Sequence, residues 1–244
     1  MAQTSTASNP VSILAPTGVL RAAINFGNSV LAQRGGDGTP GGVSVALATK
    51  LAERLGVKLS IVPFESAGSV TDALKQGGYD ICFLAIDPVR GQGLSFTAPY
   101  VLIEGGYAVR GPAAYRTVES VDVAGVTVAV AKGSAYDLYL TRALKHAALV
   151  RYPNGNEAAV AFMGGAGDAL AGVKSPLAQL VAANPSLRML PGRFMSIEQA
   201  MATPKDRDPA ALVYLQAFLA EMKASGVVAQ VLAATGQHDA EVAP

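Results

Sequence analysis

The chain has 244 residues, half of them hydrophobic and 15% charged, with 19 Lys and Arg against 18 Asp and Glu for a net charge of +1. That length allows one large domain or two of roughly 100 to 150 residues, and the near-neutral balance points away from nucleic acid or an anionic membrane as partner. Cys82, the single cysteine, excludes an internal disulfide or thiolate cluster, and no stretch approaches the roughly 18 uncharged apolar residues of a membrane span.

Met1 to Pro10 is polar, without a basic n-region or an apolar h-region, so no signal peptide is predicted there. Location then reads as periplasmic if a leader was removed and cytoplasmic otherwise. Leu20 to Asn25 reads as a strand, Gly35 to Gly42 as a turn-rich loop. Ser44 is taken as the N-cap of an amphipathic helix, Val45 to Leu55, stopped by Gly56. Val57 to Pro63 is a second strand, Ser69 to Gln76 a short helix and Tyr79 to Ile86 a third strand. This β-α-β-α-β series implies a parallel sheet with helical crossovers.

A second series follows Tyr100. Strands are predicted at Leu102 to Val109, Val126 to Ala131, Leu149 to Tyr152, Asp168 to Val173 and Leu187 to Leu190. Helices are predicted at Ala135 to His146, Asn156 to Met163 and Ser175 to Ala183. Two tail helices, Ala210 to Lys223 and Val227 to Ala234, should pack back on an existing sheet. The two series read as two similar lobes, and ligands often sit between such lobes.

Three places carry candidate chemistry. The apolar run Ile81 to Ile86 ends at Asp87-Pro88, and Arg90 lies just beyond its carboxyl end. Ligands bind outside the carboxyl ends of strands in open α/β sheets, and a guanidinium there offers a planar fork to a carboxylate. A solvated Arg after a Pro turn is the plain alternative. In Gly133-Ser134-Ala135 a strand meets a helix start, where free N–H groups and the dipole seat an anion. Ser134 with Asp137 also forms a capping-box-like pattern serving the helix alone. Asn25 and Asn28 offer donors and acceptors beside Gly27, where turn chemistry explains them equally well. The loop Ser66 to Ser69, containing Gly68, is a weaker case of the same kind. Cys82 reads as a small buried core residue, and His146 and His238 as surface residues.

The pieces in order resemble the type 2 periplasmic binding proteins, specifically the family 3 solute-binding proteins of polar amino-acid ABC importers. They include Leu20-Arg21, Leu51-Ala-Glu-Arg-Leu-Gly56, Ala73-Leu-Lys-Gln-Gly-Gly-Tyr-Asp80, Pro88-Val-Arg90 and Phe96-Thr-Ala-Pro-Tyr100. Later ones are Val126-Thr-Val-Ala-Val-Ala-Lys-Gly-Ser134, Gly167-Asp-Ala169 and Phe218-Leu-Ala-Glu-Met-Lys-Ala-Ser-Gly226. The resemblance implies an α/β, two-lobed Venus flytrap, each lobe a mainly parallel sheet flanked by helices. Lobe 1 would be residues 1–104 plus 199–244, and lobe 2 residues 105–198. It places Arg90 and the Gly133-Ser134-Ala135 turn on the ligand carboxylate and the Asn25 to Asn28 loop on the ligand side chain. A small residue, Ala85, stands where the family often carries a hydroxyl.

The resemblance also exposes a departure. Amino-acid binders of the family pair the ligand ammonium with an Asp at the end of the strand after the Asp-Ala pair. Here that place falls on Val173 or Lys174. A buried ammonium without a counter-charge is costly, so Asp87, Glu104 or Glu198 must substitute, or the ligand is not an amino acid. Lys174, if inward, adds to a positive cleft suited to a dicarboxylate, keto acid or aromatic acid; a solvated strand-end lysine is the alternative. The expected function is a monomeric, cofactor-free binder of a small carboxylate-bearing solute, with an ABC permease as possible partner. The alternatives are a soluble metabolite sensor, or a dehydratase or lyase on the same fold.

Overall fold

The computed structural model describes residues 9–244; Met1 to Gln3 and the next five residues, which hold most of the stretch without a signal-peptide pattern, lie outside them. After a short helix α1 (Pro10–Leu14) come β1 (Val19–Asn25), the small hairpin β2 (Gln33–Arg34) and β3 (Pro40–Gly41), and α2 (Val43–Leu55). Next are β4 (Lys58–Phe64), α3 (Ala67–Ala73) and β5 (Ile81–Ala85). A single strand β6 (Leu94–Arg110) leads into β7 (Thr127–Ala131), α4 (Ala135–Ala143), β8 (Ala148–Tyr152), α5 (Gly155–Met163), β9 (Ala169–Val173), α6 (Lys174–Ala183) and β10 (Leu187–Met189). The chain returns through β11 (Met195–Pro204), α7 (Pro209–Ala224) and α8 (Val227–Ala234) to β12 (Glu241–Val242).

All five residues of β5 are buried, as expected of a strand covered on both faces of a parallel sheet. β1 pairs in parallel with β4 and β5, and β7 with β8 and β9. β6 and β11 run antiparallel between these two groups and join them into one ten-stranded sheet, in the order β4-β1-β5-β11-β6-β9-β7-β8 with β10 and β12 on β6. The cores remain separate. One, with its satellite, is built from Leu14 to Ile103 and Ile197 to Leu232; the other lies between Tyr107 and Leu190. The described residues thus form a two-lobed α/β flytrap whose two halves are joined within the sheet by the long strands β6 and β11.

Some local expectations needed correction. The second helix starts at Val43, with Gly42 at its N-cap, and the Ser44 hydroxyl instead meets the Tyr100 hydroxyl at 3.1 Å. α3 begins earlier than predicted because Ser66 caps it through the Ser69 amide. The segment after Leu190 was not read as a strand, yet β11 is one of the two crossing strands. Its burial alternates, with Ile197 and Gln199 inward and Ser196 and Glu198 outward. Among the described residues no single helix is long and apolar enough to cross a membrane. α7 and α8 pass that test only as a pair bent by 64°, and α7 packs Leu215, Phe218 and Leu219 into the first core.

Candidate ligand-binding site

The carboxyl ends of parallel strands from both lobes converge. Asn25 ends β1, Ala85 ends β5, Ala131 ends β7 and Val173 ends β9, and all four line one cavity of about 590 Å³. That is a small-molecule volume, at the position expected for an open α/β sheet.

Arg90 lines this cavity while only 2% exposed. Its guanidinium donates from Nη1 to the Ala85 carbonyl and from Nη2 to the Gly133 carbonyl, each at 2.9 Å. The second bond crosses from one lobe to the other. Nε is buried with no partner among the described residues. Burial pulls the guanidinium down to about 10, opposed by the negative charge of Asp87. A buried cation with a spare donor and only carbonyl partners is a site prepared for an anion.

The start of α4 faces it. Ser134 Oγ accepts from the Asp137 amide at 3.0 Å, and Asp137 Oδ2 accepts from the Gly133 amide at 2.8 Å. This is a variant of the capping box in which the acidic side chain reaches one residue further back, to Gly133, while the Ser134 amide donates to the Ala131 carbonyl at 3.1 Å. Arg151 Nε holds the other Asp137 oxygen at 2.8 Å. The cap therefore uses Ser134 structurally, while Ser134 and Ala135 still line the cavity at the positive end of the helix. Gly133 adopts φ +70, and a Cβ there would lie 2.8 Å from Gly68 Cα; a Cβ on Gly68 would lie 2.7 Å from the Lys132 carbonyl. The two lobes thus touch backbone to backbone, through two residues without side chains.

Of the nominated residues, Arg90, Ser134, Ala135, Asn25, Asn28 and Ala85 come together around the cavity. Gly133 reaches it through the carbonyl bonded to Arg90, and Gly68 is an interlobe contact instead of a lining residue. Lys174 is turned away: its Nζ binds Glu104 at 2.6 Å, and Arg193 binds the other oxygen of Glu104 at 2.7 Å. These two cations hold the Glu104 carboxyl below its usual range. Asp87 also lies outside the lining and pairs with Arg142 at 2.7 Å. Glu198 is exposed on the outer face of β11. So none of the three acids proposed as a substitute enters the cavity. Of the two positions considered for the missing Asp, Val173 lines the cavity and with Ala135 packs against the core of the first lobe, while Lys174 is held by Glu104.

Among the described residues the lining holds one carboxylate, Glu65, which is largely exposed and paired with Arg34 at 2.7 Å. Apart from Arg90 and the exposed Lys132, the rest of the polar lining is neutral amide and hydroxyl. Ser44, Gln199, Tyr136, Asn154 and Asn156 belong to it and were missed by sequence reading. Gln199 could have been found from the period-2 pattern of Ile197 and Gln199, had β11 been recognised.

Residues 29–235 match the model of the bacterial extracellular solute-binding proteins, family 3. The chain belongs to that family. No curated protein matches it by sequence. Among solved structures, the P235GK mutant of ArgBP from T. maritima is similar at TM-score 0.80 and 24% identity, covering 94% of this chain and 100% of the other. A cysteine-binding protein from Campylobacter jejuni is similar at TM-score 0.79 and 23% identity, covering 93% and 92%. The ancestral amino acid-binding protein AncCDT-1, a precursor of cyclohexadienyl dehydratase, is similar at TM-score 0.74 and 25% identity, covering 89% and 95%. These likenesses support the fold of this solute-binding protein.

Proposed function

We propose that this solute-binding protein captures a small organic acid without an α-ammonium, by closure of residues 1–104 and 199–244 against residues 105–198, and presents it to an ABC permease. The observation that carries the reading is the charge of the cavity. A buried arginine with an unpartnered Nε awaits an anion, while among the described residues the one lining carboxylate, Glu65, is exposed and already paired with Arg34. Relatives of similar fold include amino-acid binders, one of them bound to L-arginine, so an amino acid is the competing ligand class. With Val173 or Lys174 in the acid's place it is disfavoured, because desolvating an ammonium there finds no counter-charge.

A dehydratase reading needs a proton-donating acid in the cleft. Among the described residues Glu65 is the one lining carboxyl, and it is largely exposed and engaged by Arg34. The binder reading is therefore preferred.

A thermal-shift screen over matched pairs of amino acids and their keto or hydroxy counterparts tests the proposal, since a ligand that binds the native state raises stability by mass action. Shifts are expected with the ammonium-free members and should vanish in Arg90→Met. Equal or larger shifts with the amino acids would overturn the ligand class, and a retained shift in Arg90→Met would overturn the site.

A further inference from the structure

The turn after β5 grips both ends of one helix in the other lobe. At the amino end of α4, Arg90 donates to the Gly133 carbonyl. At its carboxyl end, Arg142 in the last turn donates to Asp87 Oδ2 at 2.7 Å. Asp87 has a second task. Its Oδ1 accepts from the Val89 amide at 2.8 Å, and its carbonyl accepts from the Gly91 amide at 2.9 Å. The same carboxylate thus shapes the turn that presents Arg90 and reaches across to the second lobe. Neither Asp87 nor Arg142 lines the cavity.

We infer that Asp87 and Arg142 form a closure latch that acts without ligand, with Arg142 a positioning residue that holds the Arg90 turn over the tip of α4. The inference rests on the closure reading above but not on the identity of the solute. Asp87 is 5% exposed and Arg142 44%. In the closed form the carboxylate is removed from water and this pairing is its one salt bridge; opening the lobes separates the two charges. Because the arginine side is open to solvent, the pair is worth about a fivefold bias in the closed-to-open ratio, typical of a partly exposed ion pair. A bias of that size favours closure without fixing it, so a solute that bridges the lobes still decides the outcome.

The test is the interlobe distance distribution of the ligand-free protein, by electron-electron resonance between spin labels at Lys75→Cys and Val160→Cys. Lys75 follows α3 in one lobe and Val160 is an exposed residue of α5 in the other. Cys82 is buried, with its thiol pushed up to about 12, and does not compete for label. At low salt, Arg142→Gln and Asp87→Asn should each shift the closed-to-open ratio about fivefold toward open, while Arg142→Lys keeps most of the closed population. Melting curves establish that each variant is folded. Two distances in a ratio unaffected by Arg142→Gln overturn the latch alone. A single distance in every variant overturns the two-state closure with it.

Discussion

Arg90 carries its charge where burial opposes it. A guanidinium lowered to about 10 is protonated less readily in the folded chain than in the unfolded one. The penalty is therefore full below about pH 10 and is relieved only as pH rises from there toward the ordinary arginine range, so at neutral pH it is of order 3 kcal/mol. Against it stand two bonds to carbonyls, each worth about 1 kcal/mol, that are lost on substitution. These effects nearly cancel. Arg90→Met, which fills much of the same volume, should leave the ligand-free melting temperature within about 3 °C of wild type by calorimetry. A drop beyond about 10 °C would make Arg90 a structural strut instead of a binding group. Lys174 is the contrasting residue. Since it serves Glu104 outside the cavity, Lys174→Met should change affinity for the best acid in the screen by less than about twofold in titration calorimetry, as expected of an exposed ion pair. A tenfold loss would return this lysine to the cleft. Sequence reading could place both residues at strand ends, but the direction of a long side chain depends on which partner lies nearest in space.

At the scale of elements, one buried carboxylate ties the first lobe together. Asp80, immediately before β5, is fully buried. It accepts from the Arg21 Nε at 3.0 Å and Nη2 at 2.8 Å, from the Arg21 amide of β1 at 2.9 Å, and from Arg207 after β11. Three distant segments meet on two oxygens. Breaking a buried pair from one side costs about 3 to 5 kcal/mol, because the remaining charges are left uncompensated. Asp80→Asn should therefore lower the melting temperature by roughly 10 °C, and a change under about 2 °C would show the network to be dispensable. The elements that sequence reading recovered, such as β1, α2, β5, α4 and β9, are those with a sustained apolar period and a clear cap. β11 and the full length of β6 were missed because crossing strands change environment along their length. β6 passes from one core to the other, so no single burial pattern runs through it.

For the whole molecule, what matters is how closely the lobes approach. Gly68 and Gly133 face each other across the cleft, and a methyl group on Gly68 meets the Lys132 backbone at 2.7 Å. Backbone cannot rotate out of the way as a side chain can. Gly68→Ala should weaken binding of the best acid by roughly 5- to 150-fold, as closure is held back by about 1 to 3 kcal/mol of overpacking. The ligand-free melting temperature should stay near that of wild type, because the clash exists only when the lobes meet. Unchanged affinity in calorimetry would mean that the binding form is more open than this one.

The two βαβ series, the strand-end position of Arg90, the Gly133-Ser134 helix start and the lack of an acid at Val173 or Lys174 were legible in the chain alone. Each of these is a local matter of period, cap or residue type, and the chain order carries it. Only the tertiary structure decided that Arg90 is buried and short of a partner, that Lys174 and Asp87 are engaged elsewhere, and that Gln199 and Ser44 line the cavity. Those facts depend on which side chains from distant segments compete for the same charge, and on the interlobe geometry fixed by two crossing strands, only one of which was legible beforehand, and then only in part.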